Sequence, residues 1–281
     1  MTPVQKILAC LLFATLLTSC GGSLVYNRLD WLIPWYVDSY VDLSREQRQT
    51  LRDQLAPMLQ QHRQEELVRY LQLLDEIETA LQSSVQQAEV EIWMEKLQHS
   101  AERIEQSMLQ VAVEFGASIS DAQMAEFVDS LYSEQNELEE ELLARTDEQY
   151  AREHAAHLED LLERIIGRLD RNQKQHLQQA AGAMQRYDTV WLQDRQLWLD
   201  QLKRLLQRDS GWQAQLLQAY QDRGKARSEN YREIVQHNKQ VVAAAIAEVL
   251  NSRNSKQISH TRQEFDDLRT MLQKLGEQQP D

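Results

Sequence analysis

Residues that break helices are nearly missing from this chain, which holds 8 glycines and 4 prolines in 281 residues. Glycine costs a helix interior about 1 kcal/mol and proline about 3, and the same two residues punctuate sheets and turns. A sequence so poor in both disfavours all-β sandwiches, Rossmann-like folds and collagen. Leu, Glu, Gln, Ala and Arg fill long unbroken stretches, Gln alone supplying 37 residues. The expectation is an all-α protein.

Apolar residues recur at spacings of three and four, as in Leu67, Leu71, Leu74 and Leu81, or Ile104, Met108, Val111 and Phe115. Leu158, Leu161 and Ile165 form a third seam; Met184, Tyr187, Trp191, Trp198, Leu202 and Leu205 a fourth; Val242, Ala245, Ile246, Val249 and Leu250 a fifth. Stripes of this kind bury one face of a helix, and heptad-like spacing favours coiled-coil-like packing. The pattern predicts an elongated bundle of about five to seven long amphipathic helices. Break signals at Gly116, Gly167 and Gly211, with Ser and Asn clusters elsewhere, place helices at 44–82, 84–115, 120–166, 170–208, 212–251 and 255–276. A short helix precedes them, Pro57 is expected to kink or interrupt the first long one, and residues 277–281 are predicted to be a disordered tail.

The amino terminus reads as a targeting segment. Lys6 is followed by an apolar run from Ile7 to Leu17 and then by Leu17-Thr18-Ser19-Cys20. A charged start, a short apolar stretch and small residues describe a secretory signal, too short for the roughly 20 residues of a membrane span. Leu17-Thr18-Ser19-Cys20 resembles the lipobox of bacterial lipoproteins. That resemblance implies removal of residues 1–19, a diacylglycerol thioether on Cys20 and acylation of its new amine, with palmitate as an expected group. Gly21, rather than Asp, follows the cysteine, which in such lipoproteins implies the outer membrane, on its periplasmic face. Cys10 would leave with the signal, so no disulfide forms within one mature chain.

Residues 20–42 then form a lipidated anchor and an aromatic juxtamembrane segment, with Tyr26, Trp31, Trp35, Tyr36 and Tyr40 around Pro34. Trp and Tyr favour the headgroup region, but Leu32, Tyr36, Tyr40 and Leu43 are also spaced as one helical face. Packing on the body is the favoured expectation. Residues 43–276 make the helical domain.

One local motif recurs. Leu43-Ser44-Arg45-Glu46-Gln47, Ile119-Ser120-Asp121-Ala122-Gln123 and Leu169-Asp170-Arg171-Asn172-Gln173 each set an apolar residue before a side-chain oxygen, with Gln three positions on. This is a capping box, in which Ser44, Ser120 or Asp170 accepts from the third amide of the helix while Gln47, Gln123 or Gln173 reaches back. The motif also resembles the Leu-Thr-x-x-Gln signature of the Spy/CpxP family of small all-helical periplasmic proteins, LSREQRQTLRDQL at 43–55 being the nearest match. That resemblance implies a chaperone-like or envelope-stress role. Over the whole chain, Tyr26-Asn27, Leu29-Asp30-Trp31 and the run from Tyr40 to Leu43 are similar to a group of uncharacterised proteobacterial lipoproteins, which implies location and no activity. Residues 43–58 also align on 169–184 with six identities in 16 positions, compatible with a weak duplication of 43–168 in 169–276.

The net charge of −14, or −15 once Lys6 is removed with the signal, disfavours nucleic acid, whose phosphates recruit Lys and Arg. Gln and Arg beside the seams, as at Gln60, Gln61, Arg63, Gln64 and Arg69, predict weak, salt-sensitive binding of basic unfolded clients. His154 and His157 share a helical face but lack converging ligands, and the acidic run Glu134 to Glu141 lacks a calcium loop. No nucleophile, phosphate loop or metal motif stands out, so the expectations are no enzyme, no metal and no cofactor. The functional expectation is a membrane-anchored periplasmic lipoprotein acting by protein contacts, chaperone-like or stress-linked; the alternative is a passive structural scaffold. Cys20→Ala should abolish acylation and shift the protein out of its wild-type membrane fraction, as read by palmitate labelling and fractionation. Unchanged labelling and processing at the same bond would overturn the lipobox reading.

Overall fold

Ten helices are described in the computed structural model, which covers residues 25–277. They are α1 (Leu29–Asp38), α2 (Arg45–Ala80), α3 (Gln87–Gly116), α4 (Asp121–Ala144), α5 (Asp147–Ile166), α6 (Arg171–Ala183), α7 (Asp188–Leu205), α8 (Trp212–Ala226), α9 (Glu229–Asn251) and α10 (Ser255–Glu277). No strand occurs among the described residues. The signal, Cys20 and residues 278–281 lie outside them, and Glu277, expected in the disordered tail, instead ends α10.

The count exceeds the five to seven helices expected, because three predicted helices divide. Segment 120–166 breaks at Arg145, 170–208 at Met184, and 212–251 at Arg227. At each break one residue turns to extended backbone, with ψ of 142°, 142° and 143° respectively. Thr146 and Ser228 follow at once as N-caps, accepting from the amides of Gln149 and Tyr231. Gly182 and Gly224 lie two and three residues before the breaks at Met184 and Arg227, whereas no glycine or proline stands near Arg145. Pro57, conversely, does not interrupt α2. It is exposed, so the Asp53 carbonyl that it leaves without an amide partner lies on a wet face.

Packing follows the apolar seams with shifts of phase in α5 and α7; in α7 Leu192 and Leu199 are buried while Trp198, Leu202 and Leu205 are half-buried. In α5 the buried stripe is Ala155, Leu158, Leu162 and Ile166, whereas Leu161 and Ile165 are half-buried. α2 and α3 form a long antiparallel hairpin. Its closed end joins α5, α6 and the small-residue face of α9 in a core holding Leu73, Trp93, Leu162, Leu177, Ala243 and Val249. At its open end Leu51 and Leu55 meet Val111 and Phe115, with Val41 and Leu43 above them. α10 lies along α2, placing Met271, Leu272 and Leu275 against Leu67 and Tyr70.

Side-chain amides hold the joints. Gln47 and Gln123 each close their own capping box and also bond each other reciprocally, at 2.9 and 2.8 Å. Gln47 further donates to the Ser118 carbonyl and Gln123 to the Asp42 carbonyl, each two residues before the partner's cap. The same arrangement recurs between Gln173 and Gln257, at 3.1 and 2.8 Å. Gln257 belongs to a box opened by Asn254, and it donates to the Arg168 carbonyl, two residues before Asp170. Two asparagines of α9 act similarly on loops: Asn238 takes both the N–H and the carbonyl of Gln185, and Asn251 those of Val85, all at 2.8 Å.

Gln173 and Gln257 are 1% and 3% exposed, so losing one leaves the other's amide buried without its partner. Gln173→Ala should therefore cost about 2–3 kcal/mol, against about 1 kcal/mol for Gln149→Ala, which removes a cap alone. Chemical denaturation of both variants checks this. Equal losses would show that capping, not pairing, carries the effect.

Candidate functional site

A cavity of about 630 Å3 lies among α1, α2, α3, α4, α7 and α8. Its walls are apolar seams that do not close on one another: Met58 and Leu59 from α2, Ile104 and Met108 from α3, Trp198 and Leu202 from α7. Methionine and aromatic side chains suit such a wall, since the first is flexible and the second presents large faces. α1 covers one side. It turns Ile33, Tyr36 and Val37 inward, while Trp31 and Trp35 remain 50% and 63% exposed. The packing expected for the aromatic segment is thus realised by one face only. Asp38 fixes the turn after α1 by accepting from the Leu43 amide at 3.0 Å and pairing with Arg48 at 2.5 Å.

Charges around the cavity are tied in pairs that bridge helices. Glu66 of α2 receives Nε and Nη2 of Arg103 from α3 at 2.7 and 2.8 Å, and Arg69 as well. Burial disfavours the Glu66 charge, but the two arginines outweigh it and hold the carboxyl below its ordinary range. Glu105 of α3 receives Arg223 of α8 at 2.7 Å, together with the Tyr220 hydroxyl. Arg195 of α7 is 6% exposed and donates to Glu134 of α4 at 3.2 Å and to Gln135. Burial pulls its guanidinium below the usual value.

A second pocket of about 180 Å3 adjoins the first, sharing Met58, His62 and Ile104 with it. Its lining is otherwise polar: Gln61, Glu65, Glu66, Arg103, Gln106 and Ser107. His62 stands at the junction, its Nδ1 2.8 Å from the Tyr26 hydroxyl. Burial, aided by Arg63 and opposed by Glu66, lowers His62 to about 4, so the ring is neutral at pH 7. Burial likewise raises Tyr26 to about 12.

Of the residues singled out in the sequence, Tyr26, Trp35, Tyr36 and Tyr40 line the cavity and Gln61 the second pocket, while the capping residues fall elsewhere. Ser44, Gln47, Ser120 and Gln123 meet in one clasp; Asp170 and Gln173 meet Asn254 and Gln257 in the other. Cys20 is outside the described residues. His154 packs on the Tyr150 ring at 4.3 Å, and the described residues contain no group of three or more His, Cys, Asp or Glu able to hold a metal. Glu134 of the acidic run is engaged by Arg195. The cavity itself was missed because its walls have the spacing of an ordinary core; Glu66 and Glu105, buried within apolar stripes, were the available signal.

A family model matches residues 39–232, described as a family of unknown function (DUF6279). The chain belongs to that family. The match begins one residue after α1 and takes in the other five helices of the cavity wall. No curated protein and no solved structure matches the chain. No described helix is long and apolar enough to cross a membrane.

The depressed His62 gives a pH test. An unfolded histidine takes up its proton near pH 6.5 while the folded one resists until about 4, so the unfolded state binds more protons between these values. Stability is complete above pH 6.5 and falls as pH drops, by up to about 1.4 kcal/mol per unit for this group. The stability difference between wild type and His62→Gln should therefore move by roughly 1–2 kcal/mol in favour of the variant from pH 7 to pH 5. A constant difference across that range would show that His62 is not held neutral.

Proposed function

We propose that this protein is a lipid-anchored binding protein of the cell envelope, tethered through Cys20 at the periplasmic face of the outer membrane, which works by holding an apolar guest rather than by catalysis. The observation that carries this reading is the apolar cavity of about 630 Å3, within the range of roughly 300–1,000 Å3 usual for ligand sites. The titratable groups that face it support binding over proton transfer. Tyr26 is engaged with His62, Tyr36 with Tyr40, Glu105 with Arg223 and Tyr220, and Arg195 with Glu134.

A chaperone-like role is the form of this reading in which the guest is an apolar segment of an unfolded protein; the capping boxes resembling the Spy/CpxP signature favour it. The passive scaffold is the form with no guest. The full chain carrying Cys20→Ala, which needs no detergent, should bind the apolar fluorophore N-phenyl-1-naphthylamine. Met108→Trp, which fills the cavity, should weaken binding roughly tenfold, while Leu197→Ala, on an exposed leucine that does not line it, should leave binding unchanged. Slowed aggregation of an unfolded client, lost in Met108→Trp, would select the chaperone-like form. No fluorophore binding would leave the scaffold.

A further inference from the structure

We infer that the guest is an acyl lipid with a zwitterionic ammonium-phosphate head, its chain in the large cavity and its head in the adjoining polar pocket. The inference rests on the binding reading above and names the ligand of the same site. An amphiphile needs one long apolar space continuous with one small polar space, and Met58, His62 and Ile104 are common to the two pockets here. The small pocket offers both signs of charge side by side. Arg103 has a side chain 40% exposed and Glu65 one 49% exposed, so each retains a face toward solvent while bonded to its neighbours. The Gln106 amide adds a neutral donor and acceptor, while the Gln61 amide, which donates to Glu65, and the Ser107 hydroxyl, which donates to the Arg103 carbonyl, add acceptor oxygens. Arg103 with the Gln106 amide suits a phosphate, and Glu65 suits an ammonium. A purely anionic head would face Glu65 and Glu66 against the single arginine of the lining, which disfavours it. Within the large cavity Glu105 and Arg195 are each met by an opposite charge, so an alkyl chain encounters no unpaired ion there.

Trp31, which does not line the cavity, and Trp35, which does, are both exposed on α1. Val25, where the described chain begins, is five positions after Cys20, so an anchor there keeps these indoles at headgroup depth, where Trp prefers to lie.

Displacement of N-phenyl-1-naphthylamine from the full Cys20→Ala chain tests the assignment. Palmitoyl lysophosphatidylethanolamine should displace the fluorophore at roughly tenfold lower concentration than palmitate or palmitoyl lysophosphatidylglycerol, which carry the same chain on anionic heads. Ser107→Phe, which fills the polar pocket, should erase that preference and leave the affinity for N-phenyl-1-naphthylamine unchanged, the latter showing that the fold and cavity persist. Gln106→Lys, on an exposed position, should turn the preference toward the anionic heads. Equal displacement by the three lipids, or a preference that survives Ser107→Phe, would overturn the head assignment while fluorophore binding keeps the cavity reading. Failure of the fluorophore to bind would overturn both.

Discussion

The reciprocal side-chain amide pair is the interaction on which this fold depends. Every helix end leaves backbone groups without partners, and ten described helices make many such ends. In chains richer in glycine and proline, tight turns absorb part of that demand. Here the Gln and Asn side chains meet it, because an amide carries the donor and acceptor of a peptide unit on a movable stem. Gln47 with Gln123, and Gln173 with Gln257, join helix starts that lie 76 and 84 residues apart in sequence. Asn238 and Asn251 fasten the loops at Gln185 and Val85 to α9. Each joint replaces hydrogen bonds to water with equivalent ones inside the protein, so its value lies chiefly in fixing which elements meet.

The all-helical class was legible in composition, and the three capping boxes were legible as local patterns, since a cap depends on residues three apart. Their association was not, because pairing joins segments that no periodicity connects. Thr146 and Asn254 show the same limit at shorter range. Both open boxes with Gln149 and Gln257, yet neither follows a glycine and an apolar residue as Ser120 and Asp170 do. In α5 the spacing of Leu158, Leu161 and Ile165 admits two faces of nearly equal hydrophobicity, and packing chose the one through Leu162.

The cavity was illegible for a related reason. Ile104, Met108, Trp198 and Leu202 have the spacing of core residues, and whether facing seams close depends on what stands between them. Three carboxylate–arginine pairs join different helices around the cavity: Glu105–Arg223 lines it, Glu134–Arg195 reaches it through Arg195, and Glu66–Arg103 lines the adjoining pocket. Removing either member would leave the other poorly solvated at a partly buried site, a costlier loss than that of a surface pair.

The two kinds of joint differ in what they respond to. A glutamine amide neither titrates nor carries net charge, so the clasps between Gln47 and Gln123 and between Gln173 and Gln257 hold alike in dilute or concentrated salt and across ordinary pH. The joints around the cavity are ionic or, at His62, protonatable. Acid and electrolyte therefore act on these joints, and on ion pairs elsewhere such as Asp188 with Arg145 and Arg186, rather than on the amide clasps. The amide clasps thus stay fixed where the ionic joints, at the cavity and elsewhere, answer to the surrounding fluid.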